Sequence, residues 1–175
     1  LLGSFGGTPE GRAIQFELAS LGGACAEDGR TRTWLEAIGN LGDRAPFEAA
    51  LPYLQSPDLY LRVGAVNALR GSGAPEALEG LMSAASSDTA VQVRRAAVEV
   101  LAGKTDSASL EVIASVLNSD PSVNVRKAAV LGLHDRKDDE PAAMALLEQE
   151  AGQDPDPNLA ALAQQMITGA EPQEG

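Results

Sequence analysis

The segment "SDTAVQVRRAAVEVL", residues 87 to 101, returns 32 residues later as "SDPSVNVRKAAVLGL", residues 119 to 133. The echo runs in both directions. Arg62, Arg94 and Arg126 are spaced 32 and 32 apart, and Ala65-Val66, Ala97-Val98 and Ala129-Val130 keep the same offsets, as do Leu69, Leu101 and Leu133. Six residues before each later arginine stands an acid, Asp88 or Asp120; in the first copy Asp58 stands four before. Two weaker copies flank these three. Upstream, "DGRTRTWLEAIGNLG" sets Ala37-Ile38 28 residues before Ala65-Val66, with Trp34 in the arginine place. Downstream, "DPDPNLAALAQQMI" aligns at a shift of 34, with Ala160 there. A chain that repeats itself at such a period builds one small unit several times and stacks the units.

Each copy reads as a helix. Val93, Ala97 and Leu101 recur at steps of four, as do Val125, Ala129 and Leu133, so each helix carries one apolar stripe. The Asp or Ser before each helix is placed to cap its free N–H groups. Between copies lies a second amphipathic stretch: "APFEAALPYL", "APEALEGLMSAAS", "SASLEVIASVLNS" and "EPAAMALLEQEAG". Each starts near Pro or a small polar residue, as a first helical turn allows. The unit is therefore helix, turn, helix, and no stretch reads as a strand. A lone pair cannot bury both apolar faces, whereas stacked pairs cover one another. The expected fold is all-α: a right-handed α-solenoid of about four and a half helix pairs, forming one domain over residues 1–168. Within it a capping helix occupies residues 9–27, the copies run from about 28 to 167, and residues 169–175 are a flexible tail.

Composition agrees and narrows the function. Hydrophobic residues make up 44% but aromatics only 3%, so the core is built from Ala, Leu and Val, which suits closely packed helices. The net charge of −12 lacks the basic stripe that a duplex-binding protein needs, so nucleic acid is not the expected partner. Residues 135 to 175 hold ten acids and two bases, a net −8, which leaves −4 for the first 134. Cys25 is the only cysteine, so no internal disulfide forms and the compartment stays open. No apolar run is long enough to span a membrane. The first residue is not Met, which suggests a domain cut from a longer protein.

An aspartate before the helix, then Val-Arg-x-x-Ala-Val and a Leu, resembles the HEAT repeat over about residues 28 to 167. The form "AIGNLGD … SPDLYLRVGAVNAL" is especially similar to the HEAT-like repeats named after phycobilin lyases. A further likeness, carried by "LLGSFGGTPEGRAIQFEL", "AIGNLGD" and "YLRVGAVNALR", is to the helical domain of vitellogenin-like large lipid transfer proteins. The first resemblance implies a scaffold that binds other proteins, or a lyase-like subunit that needs a bilin and a site completed by a partner. The second implies the helical support of a lipid cavity whose sheets this chain lacks.

Two sets of residues are candidates. Arg62, Arg94 and Arg126 form a ladder, each expected between helices and paired with an Asp of its own or the adjacent turn (Asp58, Asp88, Asp120). The ladder is structural, as it usually is in HEAT repeats. The binding candidates are three equivalent sets on the second helix of each pair, away from the apolar stripe: Val63, Arg95 and Lys127; Asn67, Glu99 and Leu131; Arg70, Ala102 and His134. In solenoids of this kind second helices line the concave surface, the usual binding face. Its bases suit an acidic partner.

Other motifs read as plain structure. "DPDPN" (Asp154, Asp156, Asn158) has the spacing that opens a calcium loop, but Leu159 and Gln165 stand where Gly and Glu are needed, so it is a turn with a cap. Asp135 to Glu140 is a solvated loop whose Asp138 and Asp139 precede the next helix as caps. Trp34 packs in the core or at the end. His134 is the only histidine, so no His-based metal site or Ser-His-Asp triad is assembled within this chain. Cys25 reads as a plain small residue, and the glycines of "GSFGG" and "SLGG" follow no strand and imply no phosphate loop. The expectation is a non-enzymatic protein-binding scaffold without a cofactor, its partner another protein, with lipid entering only as part of a lipid-transfer assembly.

Overall fold

The computed structural model describes residues 30–40 and 47–169. The expected capping helix over residues 9–27, Cys25 and the tail from residue 170 lie outside the described residues. Eight α-helices and two 3-10 turns make up the described chain, and no strand occurs in it. The fold is the expected all-α solenoid of stacked antiparallel helix pairs. Two compact units are distinguished, Leu1–Ala84 and Ala85–Gly175.

The first unit holds α1 (Arg30–Gly39), the 3-10 turns Phe47–Ala49 and Leu51–Gln55, α2 (Leu59–Ala68) and most of α3 (Pro75–Ser87). Helices α1 and α2 pack side by side, and the second 3-10 turn packs on α2. The core is Leu35, Ile38, Leu54, Leu61, Ala65, Val66 and Leu69. "APFEAALPYL" was expected to be a helix and is instead two 3-10 turns that meet at Ala50. Pro52 has no N–H to give to a continuous helical ladder, and the chain tightens around it.

The second unit holds the end of α3, then α4 (Val91–Ala102), α5 (Ser107–Ser119), α6 (Val123–Arg136), α7 (Pro141–Gln153) and α8 (Pro157–Thr168). Second helices pack on second helices, α4 on α6 and α6 on α8, while α5 packs on α7. The pairs α5–α6 and α7–α8 close the two layers on each other. Between the layers lie Val93, Ala97, Leu101, Ile113, Leu117, Val125, Ala129, Leu133 and Leu147, all buried. The stripes of the sequence repeat are thus the inner faces of α4 and α6. Glycine ends α8: Gly169 takes φ of 66°, where a side chain would be strained, and its N–H reaches the Gln165 carbonyl.

Helix caps divide into two kinds. Asp58, Asp106 and Asp156 cap α2, α5 and α8 by accepting backbone N–H bonds. Helices α4 and α6 start instead on Ala90 and Ser122 without a side-chain cap. There Asp88 and Asp120 accept the N–H two residues on, each at 2.8 Å, which shapes the turn rather than the helix end. Asp138 and Asp139 do not cap α7, whose first turn follows Glu140 with no side-chain cap. Asp135 lies within α6, so the solvated loop starts at Lys137.

Helices α4 and α6 approach most tightly at Gly132. A Cβ there would stand 2.4 Å from the Ala102 Cβ, so the two helices meet without a side chain between them. Gly132→Ala should therefore destabilise by about 1–3 kcal/mol, although alanine favours an isolated helix by up to about 1 kcal/mol. Urea unfolding checks this, and Ala102→Gly in the same chain should recover most of the loss.

Candidate functional site

The arginine ladder is a set of inter-repeat forks. Arg94 is buried at the start of α4 and donates from Nε and Nη2 to both carboxylate oxygens of Asp120, at 2.7 and 3.1 Å. Asp120 stands 26 residues on, in the turn of the next pair. Arg126 repeats the geometry on Asp154, again at 2.7 and 3.1 Å and 28 residues on. The remaining Nη1 turns back to a carbonyl of its own turn: Arg94 to Asp88 at 2.9 Å, Arg126 to Asp120 at 3.0 Å and Arg62 to Ser56 at 2.8 Å. Each guanidinium therefore clamps its own turn and, in the second unit, the turn that follows it.

The adjacent-turn pairing read from sequence is formed by Arg94 and Asp120, while the partner of Arg126 is Asp154. Asp58 is a helix cap and not a rung, and the acceptors are Asp120 and Asp154, always in the following copy. Asp154 was read only as a turn residue. The signal for its role was present, since Asp154 stands six before Ala160, where the arginine is lost but the acid is kept. An acid that outlives its own arginine serves the arginine before it. Conversely Ser56 replaces the acid in the copy that follows Trp34.

The forks set the charges. Burial pushes the Asp120 carboxyl up, but the Arg94 hydrogen bonds, the Ser122 N–H and the nearby Arg126 hold it below the usual carboxylate range. Asp154 is drawn down to about 2, chiefly by Arg126. Beside it Glu150, buried on α7 where the equivalent residue of α5 is Val116, is pushed up to about 8 by burial and then by its hydrogen bond to Asp154 and that residue's charge. The shift favours the protonated form of Glu150 beside a carboxylate already held by arginine. The calcium-loop spacing of Asp154, Asp156 and Asn158 is spent the same way: Asp154 on Arg126, Asp156 on the α8 cap. No group of three metal-ligating side chains occurs among the described residues.

The binding candidates lie outside these forks. On α4, Arg95 and Glu99 are both exposed and pair with each other at 3.1 Å, one turn apart. On α6, Lys127 and Leu131 are exposed, and half-buried His134 has Nδ1 3.6 Å from Asp135. In the first unit Val63 and Asn67 are half-buried on α2, and exposed Arg70 donates to the Asn67 side chain at 3.5 Å. A second cluster in that unit was not legible from residue spacing. The Arg32 guanidinium lies over the exposed Tyr60 ring, 5.5 Å from its centre, and half-buried Trp34 meets Tyr53 edge to face at 5.8 Å. Among the described residues no helix is long and apolar enough to cross a membrane.

A sequence profile of HEAT repeats matches residues 30–101 and 78–168. No curated protein matches the chain. Among solved structures, a chain from the complex of CpcE and CpcF of phycocyanin lyase from Nostoc sp. PCC7120 is similar, with a TM-score of 0.65 at 23% identity. The likeness covers 87% of this chain and 98% of that one. The expectation of a non-enzymatic protein is corrected by this finding, because the same fold serves in a lyase complex. The single histidine and cysteine argue only against a complete site built by this chain alone.

Two outcomes follow from the charges. Arg94→Ala orphans the Asp120 carboxylate and should cost about 2–4 kcal/mol, whereas Arg95→Ala should stay within about 0.5 kcal/mol; equal losses in thermal unfolding would refute the division into buried and exposed faces. Glu150 holds in the native state a proton that the unfolded chain releases near the ordinary 4.5. Its contribution is full below that value and is lost as pH rises through about 8, while that of Asp154 is lost as pH falls through about 2. The melting temperature should therefore fall by several degrees between about pH 5 and about pH 9, and Glu150→Gln, which still donates to Asp154, should flatten that fall.

Proposed function

The chain belongs to the HEAT-repeat family, and on that premise we propose that it is a partner-binding subunit of a lyase-type assembly. The observation that carries this reading is the likeness over 98% of a chain that stands in a two-protein complex of phycocyanin lyase. The partner is another protein, and the candidate contacts are taken unit by unit: in the second unit Arg95, Glu99, Lys127, Leu131 and His134 on α4 and α6, and in the first unit Arg70 in the turn after α2, with Val63 and Asn67 on α2. Long side chains at exposed positions of rigid helices give such a face defined geometry at little cost to the fold. The chemistry is then shared, with this chain as the framework and the partner completing the site.

The test is affinity capture from the source cells with the wild-type chain and with an Arg70→Ala/Arg95→Ala/Lys127→Ala variant of unchanged melting temperature. A protein held by the wild type and reduced about tenfold or more by the variant is the expected result. The isolated assembly is then assayed for lyase activity on phycocyanin. If both baits retain the same proteins equally, the assignment of the face fails. A partner without lyase activity would leave a binding scaffold and remove the enzymatic part.

A further inference from the structure

Three large apolar side chains are exposed among the described residues, and two of them, Val123 at 38% and Leu131 at 42%, stand on α6. They are eight residues apart with Lys127 midway, so the three fall within one narrow face of the helix, roughly 12 Å from end to end. Val123 follows the repeat, since Leu59 and Val91 stand at the equivalent places, whereas Leu131 does not. The positions equivalent to Leu131 are Asn67 and Glu99, both polar. The substitution has a second effect. On α4 the cation Arg95 is paired with Glu99, one turn on; on α6 leucine takes the place of that carboxylate, and Lys127 makes no ion pair among the described residues. A single replacement thus leaves an apolar side chain and an unneutralised cation next to each other on the outer face.

An unpaired ammonium between two apolar side chains is complementary to a carboxylate flanked by apolar groups. In a chain of net charge −12 that attraction is local, so it selects one acid in a defined place and not an acidic surface at large. The described residues offer no sheet edge for an extended peptide to pair with, whereas a helix brings its own backbone bonds and repeats its contacts at the same rise as α6. We infer that the face of Val123, Lys127 and Leu131 docks an amphipathic helix of the partner protein, seating a carboxylate on Lys127 and apolar side chains over Val123 and Leu131. This rests on the subunit reading and adds to it the place and the chemistry of the contact.

The probe is a labelled, helix-stabilised peptide with two leucines two turns apart and a glutamate between them, and a twin with lysine in place of the glutamate. Titrated against the full chain by fluorescence anisotropy, the glutamate peptide should bind about tenfold more tightly than its twin. Lys127→Glu should invert that preference, and Leu131→Asn, the residue of the equivalent Asn67, should weaken both peptides by about tenfold. Both variants should melt with the wild type, since both side chains are exposed. No binding, or binding indifferent to either substitution, overturns the inference. Self-association abolished by Leu131→Asn, read by sedimentation, overturns it also, because a second copy would then cover the face. Failure here while the triple variant still loses its captured protein leaves the subunit reading standing; failure of both removes both.

Discussion

Everything in the second unit is referred to one interaction, the two-pronged bond from an arginine at the start of one second helix to the aspartate in the next turn. Desolvation offsets most of the attraction in such a buried pair, so its net contribution to stability is small even though breaking it is costly. What it fixes is register. The fork fits one carboxylate in one orientation, and its third nitrogen is already tied to the turn behind it. Core side chains such as Val93 and Val125 would tolerate a small slide between pairs; the guanidinium does not.

Register, in turn, decides what the outer face can present. With Arg94 and Arg126 turned inward, the next residues along, Arg95 and Lys127, are necessarily turned out, and the close approach of α4 and α6 at Ala102 and Gly132 brings their exposed rows together. The same sequence neighbours thus divide between holding the stack and facing solvent.

Much of this was legible in the sequence because repetition is an internal comparison. Val93, Ala97 and Leu101 recurring as Val125, Ala129 and Leu133 identify the helices, their inner faces and the buried arginines without any structure. The direction of the ladder was harder to read. Asp58 is nearest to Arg62 in sequence and looks like its partner, yet its oxygens face the N–H groups of Tyr60 and Leu61. Proximity along the chain says nothing about contact across copies. Glu150 was missed for a related reason. Its place is apolar in the copy before, and the i, i+4 spacing that sets it beside Asp154 counts only once α7 is seen to run to Gln153 and to bury this position. The 3-10 turns before α2 were missed because the apolar spacing of "APFEAALPYL" is helical, and Pro52 outweighs the spacing.

Because Arg94 and Arg126 are each spent on the copy that follows, the helix pair is not the natural unit of exchange in the second unit. The interlocked segment runs from Arg94 to Asp120 and from Arg126 to Asp154, straddling the boundary that the eye draws between pairs. A helix pair transplanted from turn to turn would arrive with a charged donor lacking its acceptor at one end and an acceptor lacking its donor at the other. The polypeptide thus has a grammar in which each clause is completed by the next. Ala160 offers no donor, so among the described residues no rung follows Asp154.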